Sequence, residues 1–195
     1  MEESIATEHI MILLILGLIV FSAVHFAIGF RGGRVKLENR LGRWGLKAVV
    51  AVGALVGLLL MVQGYSMARF YPVWPPVSFG RELGAVLMPV ASILLVAAYL
   101  PSNVKKITAH PMLWAVVLWA ITHLLVRGDW ASVILFGGLG LFAIVSMGLA
   151  WLRGVRPATT QKNAWLDGLV VVLGLGLYGG LLAVHPYLFG VSVFQ

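Results

Sequence analysis

The run MILLILGLIVFSAVHFAIG, residues 11–29, has no formal charge over nineteen positions. Such a run recurs along the chain, at roughly 9–30, 46–67, 82–100, 111–127, 130–152 and 165–186, with charges or Pro and Gly in between. A helix rises ~1.5 Å per residue, so about twenty apolar residues match a ~30 Å hydrocarbon core. With 61% hydrophobic and only 11% charged residues, a water-soluble fold of 195 residues would lack the polar surface to stay dissolved. The expectation is an all-α, polytopic integral membrane protein with six transmembrane helices, forming a single domain over residues 1–195. The fourth segment is short, and RGD at 127–129 turns the chain into the fifth.

Sidedness follows from Lys and Arg. Of the fourteen basic residues, six lie between spans one and two (Arg31 to Lys47). Lys105 and Lys106 lie in the third loop, and Arg153, Arg156 and Lys162 in the fifth. Only Arg69, Arg81 and Arg127 fall in the other loops. The positive-inside rule places the first set in the cytoplasm and both termini on the periplasmic side. This distribution also accounts for the net charge of +7 without a nucleic-acid partner. The start, MEESIATEHI, is acidic and reads as a retained first span with an external tail, not a signal peptide. No cysteine is present, which removes disulfides, thiolate catalysis and Cys-ligated metals.

Several features read as structural. The aromatic, proline-rich RFYPVWPPVSFGR (69–81) suits a headgroup-level loop, with a lid over a cavity as the alternative. Pro89 is expected to kink the third span. The pairs Gly53/Gly57 and Gly176/Gly180 have the spacing for close helix contact within the monomer. Arg127 and Asp129 read as a solvated turn.

The histidines carry the chemistry. His9 and His185 fall at span ends and read as interfacial. His25 lies on one helix face with Gly17, Phe21 and Gly29, where either a flat prosthetic group or a neighbouring helix fits. His110 and His123 are thirteen residues apart, roughly 20 Å along one helix, so a single ligand cannot take both. His25 is expected roughly 9 Å inside the cytoplasmic face and His123 about 16 Å deep. Zinc lacks nearby acidic or sulfur ligands to complete a tetrahedral shell. A b-type haem needs only one or two imidazoles, an apolar slot and polar partners for its propionates. The other reading has each imidazole hydrogen-bonded to a neighbouring carbonyl or to Thr122. The residues by themselves leave both open.

The stretch LPSNVKKITAHPMLWAVVLWAITHLL with VRGDWASVILFGG (100–138) resembles the signature of the NnrU family. The likeness extends to GLIVFSAVHFAIG (17–29), ENRLGRWG (38–45), PVWPP and HPYLFGV (185–191). It implies a multi-pass protein of the bacterial inner membrane, associated with denitrification and nitrogen-oxide metabolism. The family is similar to the plant 15-cis-zeta-carotene isomerase, a b-haem membrane enzyme acting on a polyene. That likeness implies haem b ligation by His25 and His123, with His110 as the substitute partner, and a lipophilic small molecule or nitric oxide as ligand. The isomerase has a cysteine three residues before its second histidine, whereas this chain has Ala120, so thiolate exchange at the iron is not available here. A haem-free scaffold or assembly factor is the non-enzymatic alternative. HP at a helix start also resembles membrane methyltransferases, but Ala109 stands where their arginine would be and no Glu-Glu pair follows the last spans.

Overall fold

The computed structural model describes residues 2–191, except the side chains of residues 2–9 and 31. The interfacial role expected of His9 and the acidic tail of Glu2, Glu3 and Glu8 therefore lie outside the described side chains. The architecture is all helical: α1 (Glu2–Gly29), α2 (Arg31–Met67), α3 (Gly80–Tyr99), a short α4 (Val104–Ile107), α5 (Pro111–Val126), α6 (Trp130–Leu152) and α7 (Ala164–Phe189). No strand occurs among the described residues; Pro72 and Asp129 form an isolated antiparallel bridge.

Five of these helices, α1, α2, α3, α6 and α7, are long and apolar enough to cross a bilayer. α5 has 16 residues, roughly 24 Å, which is short of a ~30 Å core. Within the most apolar stretches only 11–22% of residues are buried by the protein itself. Ile19, Val52, Val86, Leu141 and Val172 are all more than half exposed. Apolar surface on that scale is stable only against lipid. The chain is a multi-pass membrane protein.

The chain divides into two compact units, residues 1–75 with 128–150 and residues 76–127 with 151–195. In the first, α1 and α2 pack antiparallel through glycines. A Cβ on Gly17 would lie 2.6 Å from the Met61 nitrogen, one on Gly57 2.7 Å from the Phe21 nitrogen, and one on Gly64 2.6 Å from the Leu14 nitrogen. Gly53 meets the Val24 side chain in the same register. Only hydrogen at these positions lets the backbones approach so closely, which is how helices associate where lipid removes the hydrophobic drive. Leu14, Met61 and Ala131 form the small core where α6 joins this pair.

Two features of this unit differ from the sequence reading. Residues 31–41, expected as loop, are helical, and α2 bends at Gly42, whose φ of 70° lies in the left-handed region. Arg31–Leu41 thus forms an arm rich in charge ahead of the apolar span that starts near Arg43. Asp129 is buried, not solvated: it caps α6 by accepting from the Ser132 N–H (3.1 Å) and hydroxyl (2.7 Å). Tyr65 Oη lies 3.0 Å from the same Ser132 hydroxyl. The aromatic loop closes on this corner, with the N–H groups of Val73 and Trp74 donating to the Gly128 carbonyl at 2.7 and 3.1 Å. A Cβ on Gly128 would lie 2.0 Å from the Trp74 carbonyl oxygen. Within α6, Val133–Gly137 forms a wide π turn.

In the second unit α3 packs against α5 and α7, again at glycines. A Cβ on Gly174 would meet Ile93 Cα at 2.6 Å, one on Gly80 the Leu125 carbonyl oxygen at 2.9 Å, and one on Gly84 the Thr122 methyl at 2.9 Å. α3 runs through Pro89 without leaving the helix. Asn103 joins the third and fifth loops: its N–H and Nδ2 donate to the Asp167 carboxylate (2.7 and 2.6 Å), and its Oδ1 accepts from the Lys162 N–H (2.8 Å). Gly176 and Gly180, expected to pack within the chain, have nothing within 4 Å of where a Cβ would sit.

Candidate functional site

His25 lies four residues before the end of α1, and its ring is held on three sides. Nδ1 is 2.7 Å from the Phe21 carbonyl oxygen, Phe21 stacks on it at 4.3 Å between centroids, and Phe142 of α6 meets it edge-on at 5.5 Å. A carbonyl can only accept, so Nδ1 carries the proton and Nε2 the lone pair. The face shared with Gly17 is divided accordingly: α2 fills the Gly17 end, and aromatic rings surround the imidazole end.

The imidazole lines a groove of about 420 Å³ between α1 and the bent α2. Its apolar wall comes from Ile28 and from the row Leu46, Val50 and Ala54, four residues apart on α2. Its charged rim comes from Arg34 and Glu38 on the arm before the bend and from Arg43 and Lys47 after it. The Gly42 bend is what turns both sets towards one space. Arg34 Nε lies 3.7 Å from Glu38 Oε2, and Lys47 Nζ sits 4.6 Å above the exposed Trp44 ring. Arg43 has no ion-pair partner among the described residues.

His123 repeats the arrangement in the second unit. Its Nδ1 is 2.7 Å from the Trp119 carbonyl oxygen, and its ring lies 5.0 Å from that of Trp119. The bond goes to the carbonyl, not to Thr122, whose buried hydroxyl has no hydrogen-bond partner among the described residues. This bond satisfies the ring N–H inside hydrocarbon whether or not a metal is bound. What it fixes is the tautomer, presenting Nε2 as the lone-pair nitrogen, as metal-ligating histidines are commonly held.

His110 is the residue before Pro111 at the start of α5, and it caps by position only, since its side chain makes no capping bond. Its burial and the nearby Arg153 guanidinium hold the imidazole below the ordinary histidine value. His110 and His123 occupy opposite ends of α5 and do not form one site. His185, expected at the outer end of a span, lies four residues before the end of α7. Its Nδ1 is 2.7 Å from the Val191 carbonyl oxygen. Among the described residues no three histidine or acidic side chains gather as a metal-binding group. A metal here would rest on one or two imidazoles.

The NnrU protein family model matches residues 13–193, nearly the whole chain. The chain belongs to the NnrU family. No curated protein and no solved structure matches it. Within the matched NnrU region lie all four described histidines, the Gly42 bend and the groove.

Proposed function

We propose that this NnrU-family protein holds one b-type haem in the bacterial inner membrane, where His25 and His123 would ligate it, with His110 as the substitute partner. The observation that supports it is His25: an imidazole inside a span, with Nε2 as its lone-pair nitrogen, on the wall of a groove that is apolar along one side and cationic at its rim. That donor set fits a porphyrin, which needs a neutral nitrogen, a dry slot and cations near its carboxylates. The matching tautomer of His123 supports it as the second ligand. When bound, the haem supplies a redox-active iron able to take nitric oxide or perturb a polyene. The chain's own contribution is to fix ring orientation through the Phe21 and Trp119 carbonyls, and to exclude water with Phe21 and Phe142.

The family likeness supports a role in nitrogen-oxide metabolism, and one observation favours this over polyene isomerisation. Ala120, buried in α5 three residues before His123, offers no thiolate for ligand exchange. The basic loops lie in the cytoplasm in this reading, with six spans and both termini periplasmic.

The test is the absorption spectrum of detergent-solubilised full-length protein, expressed with ample haem supply, oxidised and then reduced. A Soret band is expected, lost in His25→Ala and in His123→Ala and kept in His9→Ala. A wild-type protein without a Soret band overturns the reading. Loss of the band in His185→Ala but not in His25→Ala would replace His25 by His185 and put both ligands in the 76–127/151–195 unit.

A further inference from the structure

The groove beside His25 has two chemically different ends. Packing of Gly17 on Met61, Gly57 on Phe21 and Gly64 on Leu14 gives a constant antiparallel register, which sets His25 level with Gly53 on α2. Arg43 is ten residues away along α2, roughly 15 Å, and Lys47 roughly 9 Å. The imidazole therefore belongs to the deep end and the cations to the rim. Three cations at the rim face one carboxylate, and Arg34 alone is near it. Trp44, 78% exposed and carrying Lys47 over its ring, has the amphipathic character of residues that settle among headgroups.

We infer that the rim is a binding site for the phosphate of an anionic phospholipid, with the glycerol and first acyl carbons laid along Leu46, Val50 and Ala54. Complementarity selects this occupant. A soluble anion would use the cations and leave the apolar row bare, and a neutral lipid would use the row and leave Arg43 without a counter-charge. An anionic lipid satisfies both, and the bilayer supplies it at the level where the arm of α2 meets the span. Arg43 and Lys47, one helical turn apart, present two donors to one phosphate, and Arg34 closes over it from across the Gly42 bend. The rim cations are the same ones the haem reading sets near the porphyrin carboxylates, so lipid phosphate and propionate are alternative occupants of one rim, and the experiment separates the two readings.

Native mass spectrometry of the full-length protein in detergent, titrated with phosphatidylglycerol and separately with phosphatidylcholine, tests it. Wild type is expected to retain phosphatidylglycerol preferentially. Removing an interfacial cation weakens anionic-lipid attraction about fivefold, so Arg43→Gln/Lys47→Gln is expected to lose about 25-fold in that preference. Lys36→Gln/Arg40→Gln removes the same charge from the arm before the bend, outside the groove, and is expected to leave it unchanged. Arg43→Lys/Lys47→Arg, which preserves charge, should restore most of it and guards against a folding defect. His25→Ala should keep the lipid preference while abolishing any Soret band, so the two readings fail separately. No preference in the wild type, or equal losses in the two charge-removal variants, overturns the inference.

Discussion

Replacing Gly57 with alanine tests the α1–α2 interface on which the groove depends. The new methyl would sit 2.7 Å from the Phe21 nitrogen, 2.8 Å from the Gly17 carbonyl oxygen and 2.9 Å from Phe21 Cβ. Each contact is about 0.5–0.7 Å inside ordinary van der Waals distance, and two of the three atoms are backbone, which cannot rotate away. The helices must therefore separate by a comparable amount along the whole Gly17–Gly57 contact. Overpacking of this kind costs about 1–3 kcal/mol, which lowers the folding equilibrium about five- to 150-fold. Gly176→Ala is the matched control, because nothing lies within 4 Å of its Cβ position and alanine is the better helix former. Reversible unfolding in mixed micelles of rising dodecyl sulfate fraction, followed by circular dichroism, gives both free energies. The reasoning is refuted if Gly57→Ala is no more destabilising than Gly176→Ala; α1 and α2 would then not be in backbone contact.

Other outcomes follow from the same geometry. Gly42→Ala places a Cβ in the left-handed region and is expected to cost about 1–2 kcal/mol, straightening α2 and lowering phosphatidylglycerol retention. Ser132→Ala leaves the buried Asp129 carboxylate short of a donor and should cost about 1–3 kcal/mol in the same micelle assay, whereas a value near zero would mean water enters that corner. Asn103→Ala removes the Asp167 and Lys162 side-chain bonds and is expected to speed proteolysis between Arg153 and Asn163. For His110 the sign is set by its lowered folded-state value. The unfolded chain protonates first as pH falls, so its contribution is full above the ordinary histidine value of about 6.5 and is lost below it. His110→Gln should flatten that part of a stability–pH curve, and an unchanged curve would place the ring in water.

The apolar runs located the spans because hydropathy and length are local properties. The bend was not read: Gly32, Gly33 and dense charge between 31 and 43 look like loop, although an arm lying at the membrane surface needs no continuous apolar face. Asp129 was legible in principle. An Asp directly ahead of an apolar helical run is an N-cap signal, and that signal argues for an ordered corner over a solvated turn. The contrast between Gly53/Gly57 and Gly176/Gly180 was not legible, because identical spacing serves both a packed and an open face and only the neighbour distinguishes them. His25 was picked from its polarity inside a span. Its tautomer rests on a carbonyl four residues back in the same helix, whereas its cationic neighbours needed the α1–α2 register, which joins residues up to fifty positions apart.

The wide turn at Val133–Gly137 sets the phase of everything after it in α6. With one residue more than a regular turn, the helix emerges rotated by about 100°, and from that setting Phe142 meets Phe21, His25 and Phe26. Deleting a single residue there would tighten the coil, keep the upstream Ser132 corner intact and swing the phenyl ring off the imidazole. The environment of His25 is thus adjustable by length alone, through a local insertion that touches neither the histidine nor its own helix.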